Sequence, residues 1–457
     1  MASPLFLCIL LIICSYGAYI VAGAAPHGFV VVSTTSSLLQ PKDVCSTSTV
    51  TPRPDRAVVP LVHKHGPCAP SQSTIKTSFA QALHRSRVRA DYIMSRATTK
   101  EEDGKVSIPA HLGDSVGSLE YVVKLGLGTP AVEQVVLMDT GSDLSWVQCK
   151  PCNSSDCYPQ KDPLFDPSKS STYAPIPCGS SLCKTLQSDR FGNGCTSNGT
   201  QCGYRVEYGG GSKTTGVYSN DALTLAPDVV INNFHFGCGY RQGGPNDKYD
   251  GLLGLGGSPE SLPVQTSKLY GGAFSYCLPS VSSGAGFLAL GAPSNTSDFR
   301  FTPMTRFMHE TTFYLVRLTG ISVGGKQLSI PRKVFEGGMI IDCGNILTHL
   351  PDTAYGELKS AFRAAMAAYP LLPHKYDTCY NFTGYSNVTV PRVALTFSGG
   401  VTVDLDVPNG VLLDDCLAFT DSGPDDYVGF IGNVNQRSLE MLYDVGGGRL
   451  GFRAGAC

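Results

Sequence analysis

Two short segments, 203 residues apart, constrain this chain more than anything else in it: Val135-Val136-Leu137-Met138-Asp139-Thr140-Gly141-Ser142 and Met339-Ile340-Ile341-Asp342-Cys343-Gly344-Asn345. Each drives an apolar run of strand-forming residues into one carboxylate, and after one further residue a glycine lets the backbone turn sharply. A single copy would be an ordinary strand ending in an Asx-type turn. Two copies with the same lead-in are each half of a two-carboxylate site. The second departs from the first, with Cys343 and Asn345 where small hydroxyl residues are expected.

At 457 residues the chain has room for two or more domains with their own cores. Charged residues are only 16% and the net charge is -2, which points away from nucleic acid and from a polybasic membrane surface. With 51 Gly and 30 Pro and few long amphipathic stretches, the expected class is mainly β.

Residues 1–24 read as a signal peptide: Leu5 to Ala22 is nearly all apolar, and Ala22-Gly23-Ala24 offers a cleavage site after Ala24. No hydrophobic tail closes the sequence, so a lipid-anchor signal is not expected. Sequons at Asn153, Asn198, Asn295, Asn381 and Asn387 are glycosylation candidates and fit a secretory route. Residues 25–118 form a leader with 11 Lys/Arg against 7 Asp/Glu, whereas the rest of the chain has 24 against 30. Such a basic leader, with its helical stretch around His84 to Arg96, is suited to lie over an acidic cleft as an inhibitory propeptide.

Two cysteines fall in the signal (Cys8, Cys14) and two in the leader (Cys45, Cys68), leaving thirteen. In an oxidising compartment twelve can pair, and the leftover thiol is most simply Cys343. Cys149-x-x-Cys152 with Cys157 has the look of a metal-site start, but no His/Cys partner pair of the usual spacing follows, so no metal and no cofactor are expected.

Other pieces repeat as well. Leu252-Leu253-Gly254-Leu255-Gly256 follows Asp139, and Phe430-Ile431-Gly432-Asn433 follows Asp342; both are apolar strands able to run beside the Asp-bearing loops. Tyr204 to Ser212, continued by Thr214 to Leu225, reads as a hairpin with a Gly-rich tip, and the only Trp is Trp146.

From about residue 119 to 457 the sequence resembles the pepsin-like aspartic proteases, and among them the plant nepenthesin-type branch. The resemblance rests on Asp139-Thr140-Gly141-Ser142, Tyr208-Gly209-x-Gly211-Ser212, Ile431-Gly432-Asn433 and the cysteine-rich insertion after the first motif. It implies a bilobed fold, with an N-terminal lobe over 119–297 and a C-terminal lobe over 298–457, facing across a peptide-binding cleft. Asp139 and Asp342 would meet at its floor as the catalytic pair, Tyr208 would sit on a flap braced by Trp146, and Thr140, Gly141, Ser142, Cys343, Gly344 and Asn345 would support the site. It also implies the pairs Cys149–Cys152, Cys157–Cys238, Cys178–Cys202, Cys183–Cys195, Cys277–Cys457 and Cys379–Cys416.

Two carboxylates forced together share one proton, so one can activate a water while the other protonates the scissile carbonyl. The expected function is a secreted, monomeric aspartic endopeptidase acting on polypeptides in the extracellular space, the vacuole being the other destination. Cys343 and Asn345 are expected to slow it. The competing reading is a noncatalytic binding or inhibitor protein of the same fold, which loss of an Asp would support; neither is lost.

Overall fold

The computed structural model describes residues 28–33, 45, 50, 52–70, 78–98, 120–153, 155–208, 211–244, 249–280, 284–372 and 378–457. The proposed signal peptide lies outside these residues. Strands dominate, arranged as two β lobes that repeat one plan. In the first, Val132–Asp139 runs parallel to Gly251–Gly254, which is also antiparallel to Trp146–Gln148. In the second, Met339–Ile341 runs parallel to Gly429–Ile431, with His349 of Thr348–Leu350 opposite Phe430. Both Asp-bearing strands are buried along the stretch that approaches the carboxylate, which is why their sequences read as continuous apolar runs rather than alternating ones.

A shared sheet joins the lobes. Its antiparallel neighbours run Arg300–Thr305, Arg449–Ala454, Leu439–Asp444, Phe274–Cys277, Gly286–Leu290, Ala57–His63 and Tyr121–Leu127. The sixth of these belongs to the leader. Leu61 stands between Gly286 and Val123, and Val59 and Leu61 are buried in the main core. Pro60, which cannot donate to a ladder, is exposed on the opposite face. Buried charges fasten both ends of this strand: Arg56 donates to Glu440 at 3.0 Å, and the His63 ring lies 3.0 Å from Glu120. Cys45–Cys68 closes the loop around it.

The second leader element is the helix Phe79–Thr98. Its start is a capping box: Gln81 N–H donates to Ser78 Oγ at 3.4 Å, and Ser78 N–H donates to Gln81 Oε1 at 3.1 Å. Phe79 and Ala82 pack with Ile346 and Leu347, while Ala90 and Ile93 pack with Phe313, Ile340 and Phe430. Steps of three, eight and three residues lay one helix stripe on the second lobe and the cleft.

Four of the six implied disulfides are corrected. The structure pairs Cys149–Cys238, Cys152–Cys157, Cys178–Cys195 and Cys183–Cys202, beside Cys277–Cys457 and Cys379–Cys416. Strand pairing decides the first: Cys149 N–H donates to Gly239 O at 2.9 Å, setting Cys149 beside Cys238. Cys152 then closes on Cys157 across the turn in which Cys157 N–H donates to Asn153 O. Burial decides the other two: Cys183 and Cys202 lie inside against Leu186, while Cys195 is exposed beside half-buried Cys178. All five sequon asparagines are exposed. No described helix is long and apolar enough to cross a membrane.

Candidate active site

The two lobes bring Asp139 and Asp342 together, both wholly buried. Asp139 Oδ1 accepts from Gly141 N–H at 2.9 Å, and Asp342 Oδ1 accepts from Gly344 N–H at 2.9 Å. The glycines serve close approach rather than a left-handed turn, since neither is among the residues with positive φ. A Cβ at Gly344 would lie 2.6 Å from Asp139 Oδ1, and one at Gly141 would lie 3.1 Å from Asp342 Oδ1. The backbone does turn at Thr140–Gly141 and at Cys343–Gly344, without a left-handed residue.

Symmetry fails one residue further on. Ser142 Oγ donates to Asp139 Oδ2 at 2.6 Å, whereas both side-chain polar atoms of Asn345, at the matching position, are buried without a partner among the described residues. The loops are tied by Thr140, whose hydroxyl accepts from Cys343 N–H at 3.0 Å. The return tie is poorer: Cys343 Sγ stands 3.9 Å from Met138 O, a long contact for a weak donor. Cys343 is a buried free thiol whose pKa is pushed up to about 12, first by burial and then by Asp139 and Asp342, so it stays protonated. Trp146 Nε1–H, on the strand Trp146–Gln148, donates to Tyr208 OH at 2.7 Å and braces Tyr208, which follows the first strand of the hairpin formed by Cys202–Glu207 and Lys213–Ala226.

The leader helix supplies a residue that the sequence reading did not single out. Arg89 Nε donates to Asp342 Oδ2 at 2.7 Å, and its Nη2 reaches Asp342 Oδ1 at 2.8 Å and Asp139 Oδ1 at 2.5 Å. One guanidinium thus spans both carboxylates. Burial raises the Asp342 pKa, Arg89 opposes that rise and Asp139 adds to it. Burial would also lower the pKa of Arg89, but the two carboxylates outweigh it and leave Arg89 held above its ordinary value. Tyr92 OH donates to Glu207 O at 2.6 Å and Arg96 pairs with Glu310, so the helix touches both sides of the cleft. The helical stripe 79, 82, 86, 89, 93 was the available signal for Arg89.

Comparison with known proteins agrees with this geometry. Residues 121–292 match the family model described as "Xylanase inhibitor N-terminal" and 313–454 match "Xylanase inhibitor C-terminal". Aspartyl protease family protein 2 of Arabidopsis thaliana is 36% identical over 411 residues, covering 85% of this chain and 83% of the relative. Aspartic proteinase nepenthesin-2 of Nepenthes gracilis is 35% identical, covering 74% and 77%. Among solved structures, basic 7S globulin from soybean aligns with a TM-score of 0.58 at 21% identity, covering 74% of this chain and 91% of the globulin, a likeness of fold. The chain belongs to the pepsin-like aspartic protease family, in its nepenthesin-type branch.

Proposed function

We propose that this protein is an aspartic endopeptidase made as a precursor, in which the leader helix silences the catalytic pair through Arg89. The observation that carries this reading is the single guanidinium within 2.5 to 2.8 Å of both Asp139 and Asp342. A side chain there occupies the place that a water and a scissile carbonyl need. When Arg89 leaves, the influence opposing a high Asp342 pKa goes with it, so Asp342 rises further and takes the proton the pair shares. Asp139, oriented by Gly141 and Ser142, then removes a proton from water as Asp342 protonates the carbonyl oxygen. Tyr208, held by Trp146, closes over the bound peptide and keeps bulk water out.

The secreted route is part of the same proposal, supported by the exposed sequons and by seven disulfides among the described residues. The family description as xylanase inhibitors favours a second reading, a binding protein for a glycan-degrading enzyme. Hydrolysis of an unfolded polypeptide by the acid-treated full chain tests the first against the second. Absence of hydrolysis together with tight binding to a xylanase would overturn the protease.

Acidification should loosen the leader through buried histidines. His349, beside the leader's Arg87 and with a buried Nε2 that has no partner among the described residues, has its pKa lowered to about 4, by burial first and Arg87 second. Burial also lowers that of His63 on the leader strand. A depressed histidine pKa means the unfolded chain binds more protons, so stability present at neutral pH is lost as pH falls from about 6.5 towards 4. For His349 the loss is about 3 kcal/mol. Thermal melting of the full chain carrying Asp139→Asn should show Tm falling across that window, with a shallower fall in His349→Gln. Identical profiles would remove His349 from the account.

Joint replacement of Cys343 by Ser and Asn345 by Thr should shorten the return tie and give Asp342 the hydroxyl donor that Ser142 gives Asp139. We expect kcat to rise about 3- to 10-fold with KM little changed, because these groups hold the pair without touching most of the peptide. A double variant no faster than the parent would show that the present pair of residues already positions Asp342 adequately.

A further inference from the structure

We propose that Glu310, backed by Thr312 and Phe313, is a subsite for a basic side chain of the substrate, one that the leader's Arg96 fills in the precursor. The inference rests on the protease reading above and names a substrate class for it: polypeptides with Arg or Lys at a fixed distance from the cleaved bond.

Arg96 is held at several points. Its Nη2 donates to Glu310 Oε2 at 2.8 Å and its Nε to the same oxygen at 3.2 Å, while Thr312 Oγ1 lies 3.4 Å away. The guanidinium stands 5.4 Å from the centre of the buried Phe313 ring, within cation–π reach. Side-chain exposure is 17% for Arg96 and 13% for Glu310, so this pair is largely removed from water, unlike the exposed Arg87–Asp421 pair on the same helix.

Glu310 does not depend on the leader for its position. Its other oxygen, Oε1, lies 3.2 Å from Thr312 N and 2.5 Å from Thr312 Oγ1, both donors of its own loop. Thr312 Oγ1 is in turn 2.5 Å from Asp143 Oδ2, and Asp143 Oδ1 accepts from Ser258 N–H at 2.9 Å. Burial pushes the Asp143 carboxyl above its usual range, and the Thr312 hydroxyl stands between it and Glu310. The wall is therefore built from both lobes, and departure of the helix leaves a fixed carboxylate facing the vacated cleft with its cation gone. A partly buried carboxylate in that position favours an incoming cation strongly.

Helix geometry converts into substrate position. Arg96 follows Arg89 by seven residues, about 10 Å along the helix. An extended peptide covers that in about three residues. The preferred basic residue accordingly lies about three positions from the scissile bond, on the flank marked by Glu310.

The test uses the acid-activated full chain and a set of peptides of one parent sequence, each carrying Arg or norleucine at one position within four of the cleaved bond on either side. We expect the Arg/norleucine ratio of kcat/KM to be about 10 to 100 at one position and near unity elsewhere. Glu310→Gln should bring that ratio close to one, and Glu310→Lys should invert it towards a Glu peptide. A ratio near unity at every position in the parent, or one that persists in Glu310→Gln, overturns the subsite. Should no peptide be cleaved, the protease reading fails separately, and equilibrium binding of uncleavable reduced-amide versions decides the subsite: a Glu310-dependent gain from Arg keeps it, and equal affinities end it.

Discussion

Asparagine at position 139 or at position 342 should reduce polypeptide hydrolysis by the acid-activated protein by a factor on the order of 10⁴. The substitution keeps size and most hydrogen-bonding atoms, so Gly141 N–H or Gly344 N–H still has an oxygen to donate to. What it removes is the shared proton. An amide can neither take a proton from water nor deliver one to a carbonyl, and the remaining carboxylate cannot do both at once. The two single variants should be equally inactive and the double variant no worse, because the pair acts as one unit. Either single variant retaining hydrolysis within tenfold of the parent would dissolve the assignment.

Arg89→Gln should produce a full-length protein that hydrolyses polypeptide at a pH where the parent is silent. Removing one partner of a buried, hydrogen-bonded ion pair costs about 3–5 kcal/mol, here charged against the closed state alone. The open population should rise by a factor on the order of 10²–10⁴. Arg87→Gln supplies the internal comparison. Its pair with Asp421 has side-chain exposures of 51% and 41%, so its loss should change activity by no more than a few fold. Initial rates at neutral pH before any processing check the prediction. Equal rates for the two variants would mean that bulk of the helix, rather than Arg89, keeps the site shut.

Much of this arrangement was legible in the sequence because strand burial leaves an unambiguous trace. The runs ending in Asp139 and Asp342, and the Leu252 and Ile431 strands beside them, are apolar on both faces and stop at residues that must turn or pack closely. Cysteine pairing within the insertion after the first motif was not legible, whereas Cys277–Cys457 and Cys379–Cys416 are as expected. Six cysteines from 149 to 195 lie close in sequence, and the choice among partners depends on which strand register brings Cys149 to Cys238. The leader reads in sequence as a basic cover, yet Ala57-Val58-Val59-Pro60-Leu61 is a strand of the shared sheet whose central proline disguises it. Among the arginines of the leader helix, charge alone makes no distinction. Helical periodicity does, since Phe79, Ala82 and Ile93 carry Arg89 inward with them and leave Arg87 outside. That the amide of Asn345 is without a partner among the described residues depends on the groups packed around it, which its own sequence position does not report.

The leader strand also acts as a spacer. With Ala57–His63 in place, Tyr121–Leu127 and Gly286–Leu290 stand two strand widths apart, about 9.5 Å. Neither can bond the other across that gap. Withdrawal of the leader therefore opens a slot in the sheet that carries both halves of the molecule, and the slot closes only if another extended segment enters it or if the halves move towards each other by one strand width. On the sheet, Tyr121–Leu127 leads directly to the Asp139 strand and Gly286–Leu290 leads through its neighbours to Met339–Ile341 before Asp342, so the same displacement would alter the distance between Asp139 and Asp342. Unlocking the site and keeping its two halves in register are thus a single mechanical problem, and whatever segment fills the slot sets the spacing at which the catalytic pair works.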